Sequence, residues 1–402
     1  MDIPTMRSPH STSSATSSPP VYQVGVIGGG QLAWMMERGA RALDLGLRVQ
    51  TPQPTDPAVA IARGVVYGAI DDAEATARLA QQCQVITFEN EFIDLAALTA
   101  LEQQGILFRP SLAALTPLLD KYDQRRYLRE HGLPTPDFVA LPQVVTPDDL
   151  LQLGLPVVLK ARRHGYDGQG TKILRDRSQV SKALDLIQQS QTDWMLETFI
   201  PFQRELAIMV ARSVTGEVVT YPVVETQQVD QICRRVLAVG DLPEAVVQQA
   251  VAIACQLMTS LEMVGIMGIE LFLTADQQIV VNETAPRTHN SGHYSLDACQ
   301  TSQFEQHLRA VAGLPLGDAS LTVPGAVMVN LLGTDIPEAA YADRLRSLSA
   351  LPQSRLYWYT KAPRPGRKLG HITATCPQTT PEERRAYAND LIQRVEAIWY
   401  AP

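Results

Sequence analysis

Positive charge is in short supply: 34 Lys and Arg stand against 42 Asp and Glu, a net charge of −8. No global field therefore recruits nucleic acid or an anionic membrane, and a phosphate-bearing ligand needs a local group of Arg, Lys or backbone amides. Long apolar runs are missing too. None approaches the ~20 residues of a bilayer span, which excludes a helical membrane protein. Cysteine is sparse: Cys83, Cys233, Cys255, Cys299 and Cys376 are odd in number and scattered, with no CxxC or CxxH spacing. Neither a disulfide framework nor a structural zinc site is expected, and reduced core thiols of a cytoplasmic protein are. The first twenty residues, with the run HSTSSATSSPP, lack the apolar core of a signal peptide and read as a disordered extension.

What is present is ordinary globular chemistry, 45% apolar and 19% charged over 402 residues. At about 100–200 residues per domain, that predicts two or three domains. Short apolar runs at Val21–Ile27, Leu47–Thr51 and Val85–Phe88 alternate with helical spacing over Gln31 to Leu45 and Asp71–Gln82. This is the pattern of a doubly wound α/β unit ending near Arg109-Pro110. A charged helix spans Asp120 to His131, and Pro134–Pro136 marks a linker. Longer β segments follow at Val157–Ala161, Lys172–Arg175, Trp194–Thr198, Glu205–Arg212 and Val218–Val224. An amphipathic helix opens at Pro243, and strands Gly265–Leu273 and Gln278–Glu283 come after it. Thr380-Pro381-Glu382-Glu383 reads as a capping box before a last helix.

Gly28-Gly29-Gly30-Gln31-Leu32-Ala33 satisfies G-x-G-x-x-A between a strand and a helix, a turn whose amides can approach an anion. A dinucleotide site also needs an acid about 20 positions on, and Gln50, Thr51, Pro52 and Gln53 offer none. A simple tight turn competes with any ligand role, and hydride transfer is disfavoured. A second pattern is stronger. If the strands carrying Glu270 and Glu283 form a hairpin turning at Asp276-Gln277, opposite residue numbers add to 553, as these two do. Their carboxylates would face each other about 5 Å apart at Cβ, a repulsive pair that suits Mg²⁺. Two solvated acids on an exposed face are the alternative, less natural in apolar strands. Upstream, Lys160 ends a strand and Gly165, Gly168 and Gly170 make a loop able to close over phosphates, or else a plain hairpin tip. Lysine, loop and acid pair together suggest a nucleoside triphosphate site.

The order Lys160, Gly165–Thr171, Glu197-Thr198-Phe199-Ile200, Glu205, Glu270, Glu283 resembles the ATP-grasp superfamily. The stretches Gly28–Leu32, Thr87–Glu91, Gly165–Gly170, Asn282–Tyr294, Thr301–Arg309 and Arg364–His371 resemble the narrower 5-(carboxyamino)imidazole ribonucleotide synthase (PurK) family, over essentially everything from residue 21 onward. The resemblance implies an α/β (α+β) ATP-grasp fold with three parts. They are a Rossmann-like pre-ATP-grasp domain (21–110), an ATP-grasp domain (111–316) and a small C-terminal domain (317–402).

It also implies a cytoplasmic homodimer in purine biosynthesis. ATP would convert bicarbonate to carboxyphosphate, and the amine of 5-aminoimidazole ribonucleotide would take the carboxyl. On this resemblance Lys121, Lys160, Gly165, Tyr166, Asp167, Gly168, Gln169, Gly170, Thr171, Glu197, Thr198, Phe199, Ile200 and Glu205 would hold ATP. Glu270 and Glu283 would hold Mg²⁺ with Asn282 beside them. Tyr166, Arg287, His289, Asn290 and Ser291 would line the bicarbonate and ribonucleotide site. Gln31 would bind the ribonucleotide, Glu89 would meet its amine, and Lys361 and Arg367 its phosphate. Two positions depart from the family: Gln228 stands where a His is usual, near the nucleotide, and Thr360 where a Gly precedes the Lys. An ATP-grasp ligase for a different ribonucleotide is the alternative, which would not keep the Arg287–Tyr294 run.

Overall fold

The structure, a computed structural model, describes residues 21–163, 170–190 and 192–400. The expected N-terminal extension and the loop residues Gly165, Tyr166, Asp167, Gly168 and Gln169 lie outside the described residues.

The first unit is a parallel sheet in the order Gly64–Tyr67, Gly46–Thr51, Gln23–Ile27, Val85–Phe88. Its strands are short and nearly all apolar because helices cover both faces. The single helix expected from Gln31 onward is two pieces, Gln31–Met35 and Glu37–Ala42. Between them the Met36 N–H donates to the Ala33 carbonyl, an i to i+3 bond that tightens the turn.

A small antiparallel sheet follows, ordered Phe138–Ala140, Trp194–Thr198, Val157–Ala161, Thr171–Leu174. The third sheet has nine strands. Its path is Ile279–Ala285, Gly265–Thr274, Phe202–Arg212, Val224–Val229, Ile232–Ala238, Gly325–Leu332, Lys368–Cys376 and Ser354–Trp358, with Val218–Thr220 beside Phe202–Arg212. The stretch expected as one strand, Val218–Val224, is broken at Pro222, which has no N–H for a ladder. Residues past 317 therefore extend the same sheet through the pairing of Ile232–Ala238 with Gly325–Leu332. The predicted amphipathic helix is Glu244–Ser260, whose Val246, Ala250, Ala254, Leu257 and Met258 are buried against this sheet. The capping box at Thr380 and Glu383 forms as read, opening the helix Pro381–Trp399. All five cysteines are free thiols.

The hairpin carries a compensating pair of irregularities. Thr274 and Gln278 enclose a three-residue turn, with Gln277 at φ 61°. That turn sets opposite numbers adding to 552, and Leu271 faces Val281 accordingly. A β-bulge then inserts Asn282, after which Glu270 faces Glu283. The bulge bends the strand and turns an extra polar side chain toward the cleft.

Candidate active site

The three sheets surround one cleft of about 2100 Å³. The parallel sheet gives it the C-terminal ends of two strands, Gly28–Gln31 and Glu89. The small sheet gives Lys160, Gly170, Thr171 and Glu197–Ile200, and the large sheet Glu205, Gln228, Glu270, Asn282 and Glu283. Arg287, His289, Asn290, Lys361 and Arg367 complete the wall, so expected residues scattered from 28 to 367 meet in one cavity.

At the nucleotide end, Asp120 caps the helix Lys121–Glu130 by accepting from the Tyr122 and Asp123 amides. It also pairs with Arg162 at 3.0 Å and Arg163 at 3.2 Å, just before the glycine loop. On the same helix Lys121 binds Glu283, and Arg125, one turn on, reaches Glu197 at 2.7 Å. Lys160 lies 2.8 Å from the other Glu197 oxygen and donates to Asn282 Oδ1 at 3.3 Å. Burial works to raise the Glu197 carboxyl, but Arg125 and Lys160 outweigh it and hold the group at about 2. The Glu197 carboxylate thus pairs with Arg125 and with Lys160 at the cleft wall. Arg125 was not foreseen, although its i, i+4 spacing from Lys121 is a helical signal.

Burial, and after it the Glu283 charge, pushes Glu270 up. Burial alone pushes nearby Glu205 to about 7. Glu283 goes down instead, because Lys121 and Lys160 outweigh its burial. Among the described residues no three His, Cys, Asp or Glu side chains form a closed cage. The donors present, two carboxylates and an amide oxygen, fit Mg²⁺, which keeps positions for water and phosphate oxygens.

At the other end the glycine turn has an unexpected occupant. The Glu89 carboxylate accepts the N–H groups of Gly30 at 2.6 Å, Leu32 at 3.0 Å and Ala33 at 3.4 Å. A Cβ on Gly28, at φ +119°, or on Gly30 would stand 2.5 Å from Glu89 oxygens. These glycines therefore make room for a carboxylate of the chain itself, which fills the place a pyrophosphate takes in a dinucleotide fold. Burial raises Glu89, and the turn's amides and Lys361 oppose this. Lys361 donates to Gln31 Oε1, and burial brings its ammonium down to about 8 despite Glu89. Asp56, past the end of the second strand, accepts from the Thr51 hydroxyl and lines the same wall.

Arg287 forms an ion pair with Glu91 at 3.0 Å and donates to the Thr288 carbonyl at 3.0 Å. Glu91 belongs to the Thr87–Glu91 stretch but was not singled out. His289 Nδ1 is 2.9 Å from the Ser291 hydroxyl, and Nε2 is 3.7 Å from Glu270. Gly268 permits this, since a Cβ there would sit 2.5 Å from that of His289. Ser291, 1% exposed, sits behind His289 and is not among the residues that line the cleft. Gln228 lines the cleft beside a β-bulge at Gln227/Gln228.

Three family profiles match in succession. They are the ribonucleotide synthetase preATP-grasp domain over 21–116, the ATP-grasp domain over 126–304 and the phosphoribosylaminoimidazole carboxylase C-terminal domain over 326–385. The N5-carboxyaminoimidazole ribonucleotide synthase of Synechococcus elongatus is 54% identical over 391 residues, 97% of this chain and 98% of that one. The Synechocystis protein of the same name is 51% identical over 388 residues, 94% and 98% of the two chains. Two crystal structures of the Aspergillus clavatus synthase are also similar, each covering 94% of this chain and 99% of that one. The ATP complex has a TM-score of 0.86 at 33% identity. The complex with ADP and 5-aminoimidazole ribonucleotide has 0.85 at 32%. The chain belongs to the N5-carboxyaminoimidazole ribonucleotide synthase family, ATP-grasp ligases that use ATP to carboxylate the amine of 5-aminoimidazole ribonucleotide in purine biosynthesis.

Proposed function

We propose that the cleft runs this reaction in two steps, with the phosphate chemistry and the amine held at opposite ends of one cavity. A bicarbonate oxygen bonds to the γ-phosphorus of ATP as the bond to the ADP oxygen breaks. The ribonucleotide amine then bonds to the carboxyl carbon of carboxyphosphate, phosphate leaves, and the nitrogen's proton goes to the departing phosphate. Lys160, fixed by Glu197, and Lys121 place two ammonium charges where ATP phosphates would lie. Magnesium held by Glu270, Glu283 and Asn282 would supply neutralisation of the phosphate charge.

Arg287, oriented by Glu91, offers a guanidinium fork to bicarbonate and carboxyphosphate. His289 and Asn290 stand beside it on the cleft wall. Gln31, Lys361 and Arg367 hold the ribonucleotide, whose remote phosphate positions the amine. Glu89 lies at the same end for the amine. Gly165, Tyr166, Asp167, Gly168 and Gln169, with Gly170 and Thr171, would bind the nucleotide, and Gln228 would take the place of the usual His there.

Bicarbonate as carbon source is supported by the cationic Arg287 on the cleft wall. A homodimer and a cytoplasmic setting rest on family membership. Among the described residues no helix is long and apolar enough to cross a membrane. The division into 21–110, 111–316 and 317–402 is supported by the separate parallel sheet, although the large sheet runs through the last boundary.

The observation that carries the reading is Glu270 facing Glu283 across the bulged hairpin, with Lys121 and Lys160 beside them. Glu270→Gln and Glu283→Gln should each abolish ADP release in the presence of bicarbonate and ribonucleotide. Without metal the melting temperature of Glu270→Gln should hold or rise slightly, because a carboxylate that burial and the Glu283 charge disfavour is gone, whereas Glu283→Gln also removes the partner of Lys121 and should lower it. Near-normal turnover in both variants contradicts the assignment.

A further inference from the structure

Among the polar side chains that the large sheet buries, Asn330 and His371 are enclosed completely. Asn330 and His371 face each other on the neighbouring strands Gly325–Leu332 and Lys368–Cys376, and neither is exposed to solvent. Each reaches a different piece of the substrate end. Asn330 exchanges two hydrogen bonds with the amide of Asn290. Asn290 Nδ2 donates to Asn330 Oδ1 at 3.0 Å, and Asn330 Nδ2 donates back at 2.7 Å. A further donation from Asn330 Nδ2 to the Cys233 carbonyl, at 2.9 Å, fixes which way the Asn330 amide points.

His371 Nδ1 is 2.6 Å from the hydroxyl of Tyr359, itself buried. The His371 ring stacks on Tyr357 at 4.6 Å, nearly parallel to it, and lies 5.0 Å from the ring of His293, which lines the cleft. Tyr359 leads directly into Thr360, at φ +53°, and then Lys361. The Tyr359 ring also sits under the Lys361 ammonium at 5.8 Å. Gly370 lets this packing close, since a Cβ there would meet the Tyr357 carbonyl oxygen at 2.4 Å.

Buried polar groups cost stability unless paired, so such groups in a sheet that packs through apolar residues call for a role. We propose that Asn330 and His371 are positioning residues. As one cross-strand pair on the C-terminal sheet, they fix the Asn290 turn and the Lys361 strap relative to each other, so that carboxylation and ribonucleotide binding share one rigid support. The inference rests on the proposed role of Lys361 in holding the ribonucleotide. Neither residue touches substrate. Their effect passes through Asn290 and through Tyr359.

The test separates the two arms by steady-state kinetics of the full chain. His371→Leu and Tyr359→Phe should each raise the KM for 5-aminoimidazole ribonucleotide about tenfold, leaving kcat and the KM for ATP within twofold. The double variant should lose no more than either alone. His371→Asn keeps a polar atom near the Nδ1 position and should recover most of the loss. Asn330→Leu should instead lower kcat about tenfold with little change in the ribonucleotide KM. Tyr359→Phe keeps the shape of the core, so it decides the matter if His371→Leu fails to fold. Unchanged ribonucleotide KM in folded His371→Leu and Tyr359→Phe, or parallel changes in every constant with a lowered melting temperature, overturns the proposal. Lys361→Ala distinguishes the underlying reading. If it too leaves the ribonucleotide KM unchanged, the role given to Lys361 has failed; if it raises that KM while the other two do not, only the positioning inference has.

Discussion

The depressed ammonium of Lys361 makes ribonucleotide binding depend on pH in a way that can be worked through. Burial disfavours the charged form and brings the group to about 8, against the pull of Glu89 and Asp56 and with the help of Arg367 and Lys368. At pH 7 roughly nine-tenths of the free enzyme then carries the charge, and at pH 9 roughly one-tenth. A ribonucleotide monophosphate is doubly ionised across that range, its second pKa being about 6, so the ligand adds no limb of its own. The kcat/KM for the ribonucleotide should therefore fall above pH 8, approaching about tenfold per pH unit, until it meets the level of Lys361→Ala. That level should lie at least about tenfold below wild type at pH 7, about 1.4 kcal/mol, modest for a charge-assisted contact. Bound phosphate stabilises the ammonium, so kcat at saturation should be flatter with pH than kcat/KM. Lys361→Arg keeps its charge throughout and should lose the limb, even if its longer fork fits less well. ADP release at fixed saturating ATP and bicarbonate between pH 6.5 and 9.5 reads all of this. A flat wild-type profile, or the same limb in Lys361→Ala, refutes the reasoning.

Two further expectations concern the buried charges. Glu197→Gln leaves Arg125 and Lys160 as uncompensated cations and should cost about 3–5 kcal/mol in denaturant unfolding, with a weaker ATP KM. Glu197 sits at about 2, below its usual value, so its contribution is present above about pH 4.5 and is lost as pH falls toward 2. The wild type should shed more stability over that window than the variant, in which only the other paired carboxylates titrate; a loss under about 1 kcal/mol at neutral pH would contradict this. Arg287→Gln should reduce carboxylated product far more than ATP affinity. Its partly exposed pair with Glu91 contributes little to folding, so the melting temperature should barely move. Equal losses in both readouts with a large drop in melting temperature would make the pair structural instead.

The strands, the long helix and the capping box were legible because each is written in adjacent residues: alternation, 3.6-residue spacing, a Thr three positions before a Glu. The family stretches were legible for the same reason, being continuous runs. Even the facing of Glu270 and Glu283 came out of the numbering, though for an incomplete reason. The turn is one residue longer than the two-residue form assumed, and the bulge at Asn282 restores the register. Pro222 is the local signal that parts Val218–Thr220 from Val224–Val229.

By itself the sequence determined the order of elements and the identity of the groups that meet in the cleft. Only the tertiary structure decided what each group is doing there. Glu89 fills the Gly28–Ala33 turn from 59 residues away, measured to Gly30. Arg125 reaches Glu197 across 72 residues, and Asn290 meets Asn330 across 40. Spacing in the chain carries no trace of these partners, because a buried charge or amide takes whichever partner the packing brings within about 3 Å. The glycine turn shows the difference most plainly. Its residues spell an anion site, and the fold supplies the anion from the chain itself.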